Sequence, residues 1–390
     1  MSKVCITGMG ITSGLGIGVD DHCSALKQGI SAIKSIDQFS TPILGSALGR
    51  SNAELKEYLK LPDSEIISRT ALLGAVALEE AASGLNGSES VGFINATTVG
   101  GMDLSENYMQ GLYQGKSENP ELLNMHDLGT VTSFLASRLP DVRFQNTIST
   151  ACSSAANAIM IGAKQIKAGL NERIIVGGTD ALCEFTIQGF KSLMVYSNEW
   201  CMPFSEDRQG LNLGEGAAYL LLESETSAKR NNRRILGYVQ GYYNANDAFH
   251  STGTSPEGKG AQLAMQGALK TAGIDAQEID YVNAHGTATK NNDDSELNAM
   301  QQVFENNISA FSSTKAATGH TLAAAGAIEA VFSLISLQEQ MVFGGLNCTQ
   351  PMKGSENYIH SSSALDLNRV MSNSFGFGGN CTSLIFGKGE

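Results

Sequence analysis

Thr147-Ile148-Ser149-Thr150-Ala151-Cys152-Ser153-Ser154-Ala155-Ala156-Asn157 is the stretch on which the reading of this chain turns. Residues 142–148 ahead of it are short, partly β-branched and preceded by Pro140-Asp141, which predicts a strand. Behind it Ala155, Ala156, Ile159, Met160, Ala163 and Ile166 recur at helical spacing up to the stop signal Gly169. Cys152 therefore falls where a strand turns into a helix N-terminus, among small residues that let a ligand come close. Unpaired amides and the positive end of the helix dipole bias a thiol there toward thiolate. The plain alternative is a small buried cysteine that fills space.

Working outward, 390 residues suggest two domains or one large duplicated unit, and 42% hydrophobic content suits a sizeable core. A formal charge of −13 argues against nucleic acid and against an anionic membrane surface. An acidic partner would need a local basic patch. Seven scattered cysteines without a CxxC pair read as reduced thiols in a cytoplasmic protein. No greasy signal core opens the chain and no apolar run approaches a membrane span, so a soluble cytoplasmic protein is expected.

In chain order, residues 4–7 predict a buried strand and Gly8-Met9-Gly10-Ile11-Thr12-Ser13-Gly14 a tight loop off the dinucleotide fingerprint. Asp20-Asp21 cap a short helix to about Lys27. Residues 63–84 predict a helix, then strands at 91–95 and 173–176 flank the Cys152 region. Alternation of this kind makes an α/β protein with a largely buried sheet. The charged run 223–234 predicts an exposed turn, and the halves are divided there, at 1–228 and 229–390. The second half predicts strands at 235–240, 279–284 and 308–313, helices at 260–272, 293–304 and 322–338, and a closing strand pair. Residues 147–167 and 310–337 share the order strand, small-residue loop, apolar helix, which suggests duplication.

Three further stretches carry polar chemistry: Asn283-Ala284-His285-Gly286-Thr287-Ala288-Thr289, Ser313-Thr314-Lys315-Ala316-Ala317-Thr318-Gly319-His320, and Ser374-Phe375-Gly376-Phe377-Gly378-Gly379-Asn380. Two histidines beside glycines, with a poised cysteine, make acyl chemistry plausible, since a thioester needs a nucleophile, proton handling and oxyanion donors. A zinc site from His285, His320, Asp293 and Cys152 lacks any close ligand pair. Glu329, in an otherwise apolar helix, needs a partner if buried, and Lys315 is the candidate.

Thr150-Ala151-Cys152-Ser153-Ser154, the His285 loop, the Lys315/His320/Glu329 segment and Phe375-Gly376-Phe377-Gly378-Gly379 together resemble elongating β-ketoacyl-acyl-carrier-protein synthases, over about residues 3–388. The resemblance implies a thiolase-like α/β fold, two related halves in five αβαβα layers with mixed sheets, working as a dimer. It implies decarboxylative condensation of an acyl group on Cys152 with malonyl carrier protein, in fatty-acid or in polyene or polyketide assembly. His285 and His320 would hydrogen-bond the malonyl thioester carbonyl, and Lys315 and Glu329 would be the supporting charged pair. The amides of Cys152 and Phe377 would form the oxyanion hole, with the Phe377 ring gating entry. Thr287 and Thr289 would hold the phosphopantetheine arm beside Phe375, and Asp293 and Glu296 would be structural. No metal or dissociable cofactor is implied, because the phosphopantetheine arrives on the carrier. The implied partners are acyl carrier protein and a second copy or a related chain-length subunit. Ser105 falls where several long-chain synthases place a bulky aliphatic residue, which predicts a roomier pocket unless a neighbour refills it. Two departures stand out: Lys290 where the family has proline, and Asn380-Cys381 where Thr-Asn is usual. A non-condensing partner subunit would lack Cys152, and a thiolase would carry a reactive cysteine near Cys381.

Overall fold

The computed structural model describes residues 3–85, 89–117 and 119–389, so the first two residues read above fall outside it. The principal strands are β1 (Val4–Ser13), β2 (Ser90–Ala96), β3 (Asp141–Ile148), β4 (Arg173–Asp180), β5 (Gly216–Ser224), β6 (Gly237–Asn246), β7 (Tyr281–Asn283), β8 (Ala310–Ser312), β9 (Arg369–Phe375) and β10 (Asn380–Lys388). The principal helices are α1 (Val19–Gln28), α2 (Arg69–Ala81), α3 (Met102–Tyr113), α4 (Leu128–Ala136), α5 (Ser154–Lys167), α6 (Glu184–Ser192), α7 (Lys259–Ala272), α8 (Lys290–Val303) and α9 (Ala325–Glu339).

The strands are hydrogen-bonded in the order β8-β7-β9-β10-β6-β1-β5-β4-β2-β3. On one side β3, β2 and β4 run parallel, with β5 and then β1 antiparallel. On the other β8, β7 and β9 run parallel, with β10 and then β6 antiparallel. Each strand of the first set thus has its counterpart five strands later, and the sets meet through Cys5–Tyr238 and Ile6–Gly237. The repeat suggested by element order is present in the strand pairing.

Alternation along the strands then sets the layers. Ile94, Ile174 and Leu220 point to one core with Val239, Val370 and Leu384 of the other set, and α5 and α9 fill the space between them with Ile159 and Val331. Their neighbours Phe93 and Leu221 face outward under α2 and α4. Val282 and Ile385 face outward under α7 and α8. The result is five layers, αβαβα. A helix in the middle layer has no face left for water, which explains its composition. Leu322–Glu339 reaches 18 residues at mean hydropathy 1.3, against the expectation that no run approaches a membrane span, yet 89% of it is buried inside the protein.

Three local expectations are corrected. The tight loop at Gly8–Gly14 is strand as far as Ser13. Its glycines make room for a helix, since a Cβ at Gly8 would stand 2.3 Å from the Ala81 carbonyl oxygen and one at Gly10 2.1 Å from that of Ala77. The helix expected from residue 63 begins at Arg69, where the Ser68 hydroxyl caps it by accepting from the Ala71 amide. The exposed turn at 223–234 is a short helix, Glu225–Arg230, flanked by buried charges. Glu223 is fully buried, and Arg233 and Arg173 reach it and Glu89.

Candidate active site

Past the end of β3 the chain turns at Ala151, which takes a left-handed φ of +52°, and enters α5 at Ser154. The turn is held locally: the Thr150 amide donates to Ser154 Oγ (2.8 Å) and Ser153 Oγ donates to the Thr150 carbonyl (2.7 Å). The glycine loop between β9 and β10 lies against it. A Cβ at Gly376 would sit 2.9 Å from the Thr150 oxygen and 3.1 Å from the Cys152 nitrogen, so only glycine fits without displacement. Asn380, one of the two departures in that loop, ties the parts together. Its Oδ1 accepts from Asn157 on α5 (2.9 Å) and Asn244 on β6 (2.7 Å), and lies 2.7 Å from Ser153 Oγ.

Cys152 is buried, with its Sγ 2.9 Å from His320 Nε2. Burial pushes the thiol up to about 12, and the Lys315 charge and the amides of Phe377 and Cys152 itself pull it only partly back. Burial therefore works against the bias toward thiolate that the helix end supplies, while Lys315 and the two amides work with it. Burial, with the Lys315 charge, likewise holds His285 and His320 well below the usual histidine range, so both rings are neutral.

Lys315 organises the pair. Its Nζ donates to the His285 carbonyl (2.5 Å), lies 3.2 Å from His285 Nδ1 and is ion-paired with Glu329. An ammonium can only donate, so Nδ1 must accept and the His285 ring carries its proton on Nε2. The two rings meet edge to face at 5.5 Å between centroids, and Phe375 closes on His285 at 5.7 Å. Burial raises Glu329 to about 7, with the Lys315 charge opposing it. Glu296 accepts the amides of His285 and Gly286 (both 2.8 Å), and Asp293 accepts those of Thr287 (3.0 Å) and Phe204 (2.9 Å), so both carboxylates shape the histidine loop.

Cys152, His285, His320, Thr287, Thr289, Phe375 and Phe377 line one cavity of about 280 Å³. The two threonine hydroxyls lie 2.9 Å apart, and the Phe377 ring stacks on Phe190 of α6 at 5.6 Å. Phe190 was missed in the sequence because nothing local marks it; its role comes from α6 crossing the glycine loop. Asp180 was missed likewise. It ends β4 and accepts from Thr97, Thr98, Val99 and the Ala323 amide, joining two loops beside the site. Ser105 lines neither this cavity nor the larger cleft beside α3 and α6. Its hydroxyl lies 2.8 Å from His126 Nδ1, so an imidazole, not open space, faces it. Cys381 is buried against the Gly379 carbonyl and does not line the cavity.

Residues 77–228 match the β-ketoacyl synthase N-terminal domain family, and residues 236–349 the β-ketoacyl synthase C-terminal domain family. The 3-oxoacyl-[acyl-carrier-protein] synthase 2 of Staphylococcus aureus strain COL is 31% identical over 412 residues, covering 100% of this chain and 99% of that one. The chain belongs to the β-ketoacyl synthase family. Among solved structures, the ishigamide ketosynthase/chain length factor superposes on this synthase with a TM-score of 0.92 at 27% identity, over 99% of each chain. A ketosynthase in complex with its chain length factor from Xenorhabdus doucetiae gives 0.82 at 32% identity, over 99% of this chain and 98% of that one. As a β-ketoacyl synthase the protein is an acyltransferase of thiolase-like fold, making 3-oxoacyl carrier-protein thioesters by condensation.

Proposed function

We propose that the synthase elongates an acyl group held on Cys152, using malonyl-acyl-carrier protein as the two-carbon donor. The observation that carries this is the contact of Cys152 Sγ with His320 Nε2, beside a His285 whose tautomer Lys315 sets. In the first half-reaction Sγ attacks the incoming thioester, its proton passes by way of His320 to the departing carrier thiol, and the acyl group stays on sulfur. In the second, the bond to the malonyl carboxylate breaks, carbon dioxide leaves, and the electron pair becomes an enolate whose oxygen takes hydrogen bonds from His285 and His320. The enolate carbon attacks the Cys152 thioester, and the amides of Cys152 and Phe377 hold the tetrahedral oxyanion. Collapse returns the sulfur and releases β-ketoacyl carrier protein. These donors matter because they bind the developing charge more strongly than the ground state.

The same reading takes acyl carrier protein as partner, a second copy or a related chain-length subunit as dimer mate, and the cytoplasm as location. It divides the chain at 228/229 and requires no metal or resident cofactor. Incubation with acyl carrier proteins of graded chain length, followed by intact-mass measurement, tests it. The wild type should gain one acyl mass that maps to the Cys152 peptide, and Cys152→Ala should gain none while keeping its fold. An adduct on another cysteine would overturn the assignment.

A further inference from the structure

The loop from β7 to α8 climbs out of the active site. His285 and Thr287 are 2% and 5% exposed, Thr289 is half-buried and Lys290 is exposed. All four line the Cys152 cavity, so Lys290 stands at its rim. Among the described residues no aspartate or glutamate lines this cavity, and Lys290 is the one lysine or arginine that does, in a chain whose net charge is −13. That charge is unspent. Asp294, four residues on along α8, is taken by Arg208 (2.6 Å), and Asp293 is buried on the loop amides. Among the described residues no ion pair involves Lys290.

Local physics disfavours a cation there. Lys290 is the first residue of α8, where the helix dipole favours negative charge and repels positive. A residue that goes against its local preference at the mouth of a functional cavity calls for a compensating ligand.

Resting on the condensing function proposed above, we infer that Lys290 is a specificity-determining residue that holds the phosphodiester of the carrier's phosphopantetheine arm at the cavity rim. The substrate has two anionic groups. The malonyl carboxylate must lie at the base, because the bond it leaves is broken beside Cys152. The phosphate at the far end of the arm is then the anion within the rim's reach, and an ammonium is a suitable point charge for it.

The test compares acyl-phosphopantetheine with acyl-pantetheine, the same thioester lacking phosphate, as donors to Cys152, read by intact mass over time. The wild type should favour the phosphorylated donor through a lower KM, by roughly threefold to tenfold for a partly exposed charge pair. Lys290→Ala should erase that preference, bringing the ratio of the two donors' KM values to about one, and Lys290→Glu should reverse it. If wild type and Lys290→Ala show the same preference, or neither shows one, the Lys290 inference is overturned while the condensing function stands. If neither donor acylates a wild type whose Cys152 acyl carrier protein does acylate, the Lys290 inference is overturned while the condensing function stands; a wild type that acyl carrier protein does not acylate either removes both.

Discussion

Lys315 makes three contacts, to Glu329, the His285 carbonyl and His285 Nδ1, and only the third sets chemistry. Lys315→Met keeps length and apolar bulk but removes the donor that fixes the His285 tautomer, and leaves Glu329 buried without a cation. Malonyl decarboxylation should fall by about a hundredfold or more, the usual cost of one lost oxyanion donor. Self-acylation of Cys152 should fall much less; equal losses in the two half-reactions would show that Lys315 acts only on folding. The thiol makes a second prediction. With Cys152 pushed up to about 12, the thiolate fraction should rise about tenfold per pH unit across the working range. Alkylation of Cys152 by iodoacetamide should therefore keep accelerating from pH 6 to 9; a plateau near pH 7 would mean a thiolate already formed. The identities at this site were legible because each sits in a short motif. The opposing pull of burial on the thiol was not, because it depends on groups distant in sequence, such as the glycine loop and Lys315, that fold around the sulfur.

Elements were legible where periodicity was strong and misread where a close neighbour set the conformation. Residues 4–13 looked like strand then loop because glycine is usually a breaker, yet Gly8 and Gly10 are strand residues over which α2 lies. The charged run 223–234 looked exposed because its partners Glu89 and Arg173 lie outside it. α1 carries a similar hidden pairing. His22 is fully buried, with Nε2 2.7 Å from the Ser13 hydroxyl of β1 and Nδ1 2.7 Å from the Gly18 carbonyl. Burial lowers it to about 4, against a partial pull upward from the Gly18 carbonyl. Between pH 6.5 and 4 the unfolded chain binds a proton here that the folded chain refuses, so His22 takes stability away as pH falls through that window. The full effect is on the order of 3 kcal/mol. Buried carboxylates such as Glu296, raised to about 7, act in the opposite direction, so the check is a difference. Urea midpoints of wild type and His22→Gln, compared at pH 7.5 and 4.5, should converge on acidification. A constant gap would reject the assignment.

At the scale of the whole molecule, duplication was visible only as an order of elements, since the matched strands share pairing and not sequence. The apolar run 323–335 is enclosed between the two halves of one chain, so it leaves no apolar face for a second subunit to cover. The case for a dimer now rests on the sheet edges. β8 at one end is covered by the chain itself, its Phe311 amide donating to Asn357 and its carbonyl accepting from Ile359. β3, its counterpart at the other end, has among the described residues only β2 beside it, and most of its residues are exposed, Phe144 at 37% among them. An open eight-residue edge of this kind offers unpaired amides and carbonyls to another strand. The commonest closed solution is a two-fold interface in which β3 pairs antiparallel with β3 of a second copy, or of a related subunit, extending the sheet through both. Light scattering at micromolar concentration should then give twice the 41.2 kDa chain mass. Gln145→Pro, which removes one edge amide without touching a core residue, should shift the protein toward monomer while leaving the Cys152 cavity intact. A wild type that runs as a monomer, alone and with a chain-length partner, would leave β3 as an edge the fold tolerates uncovered.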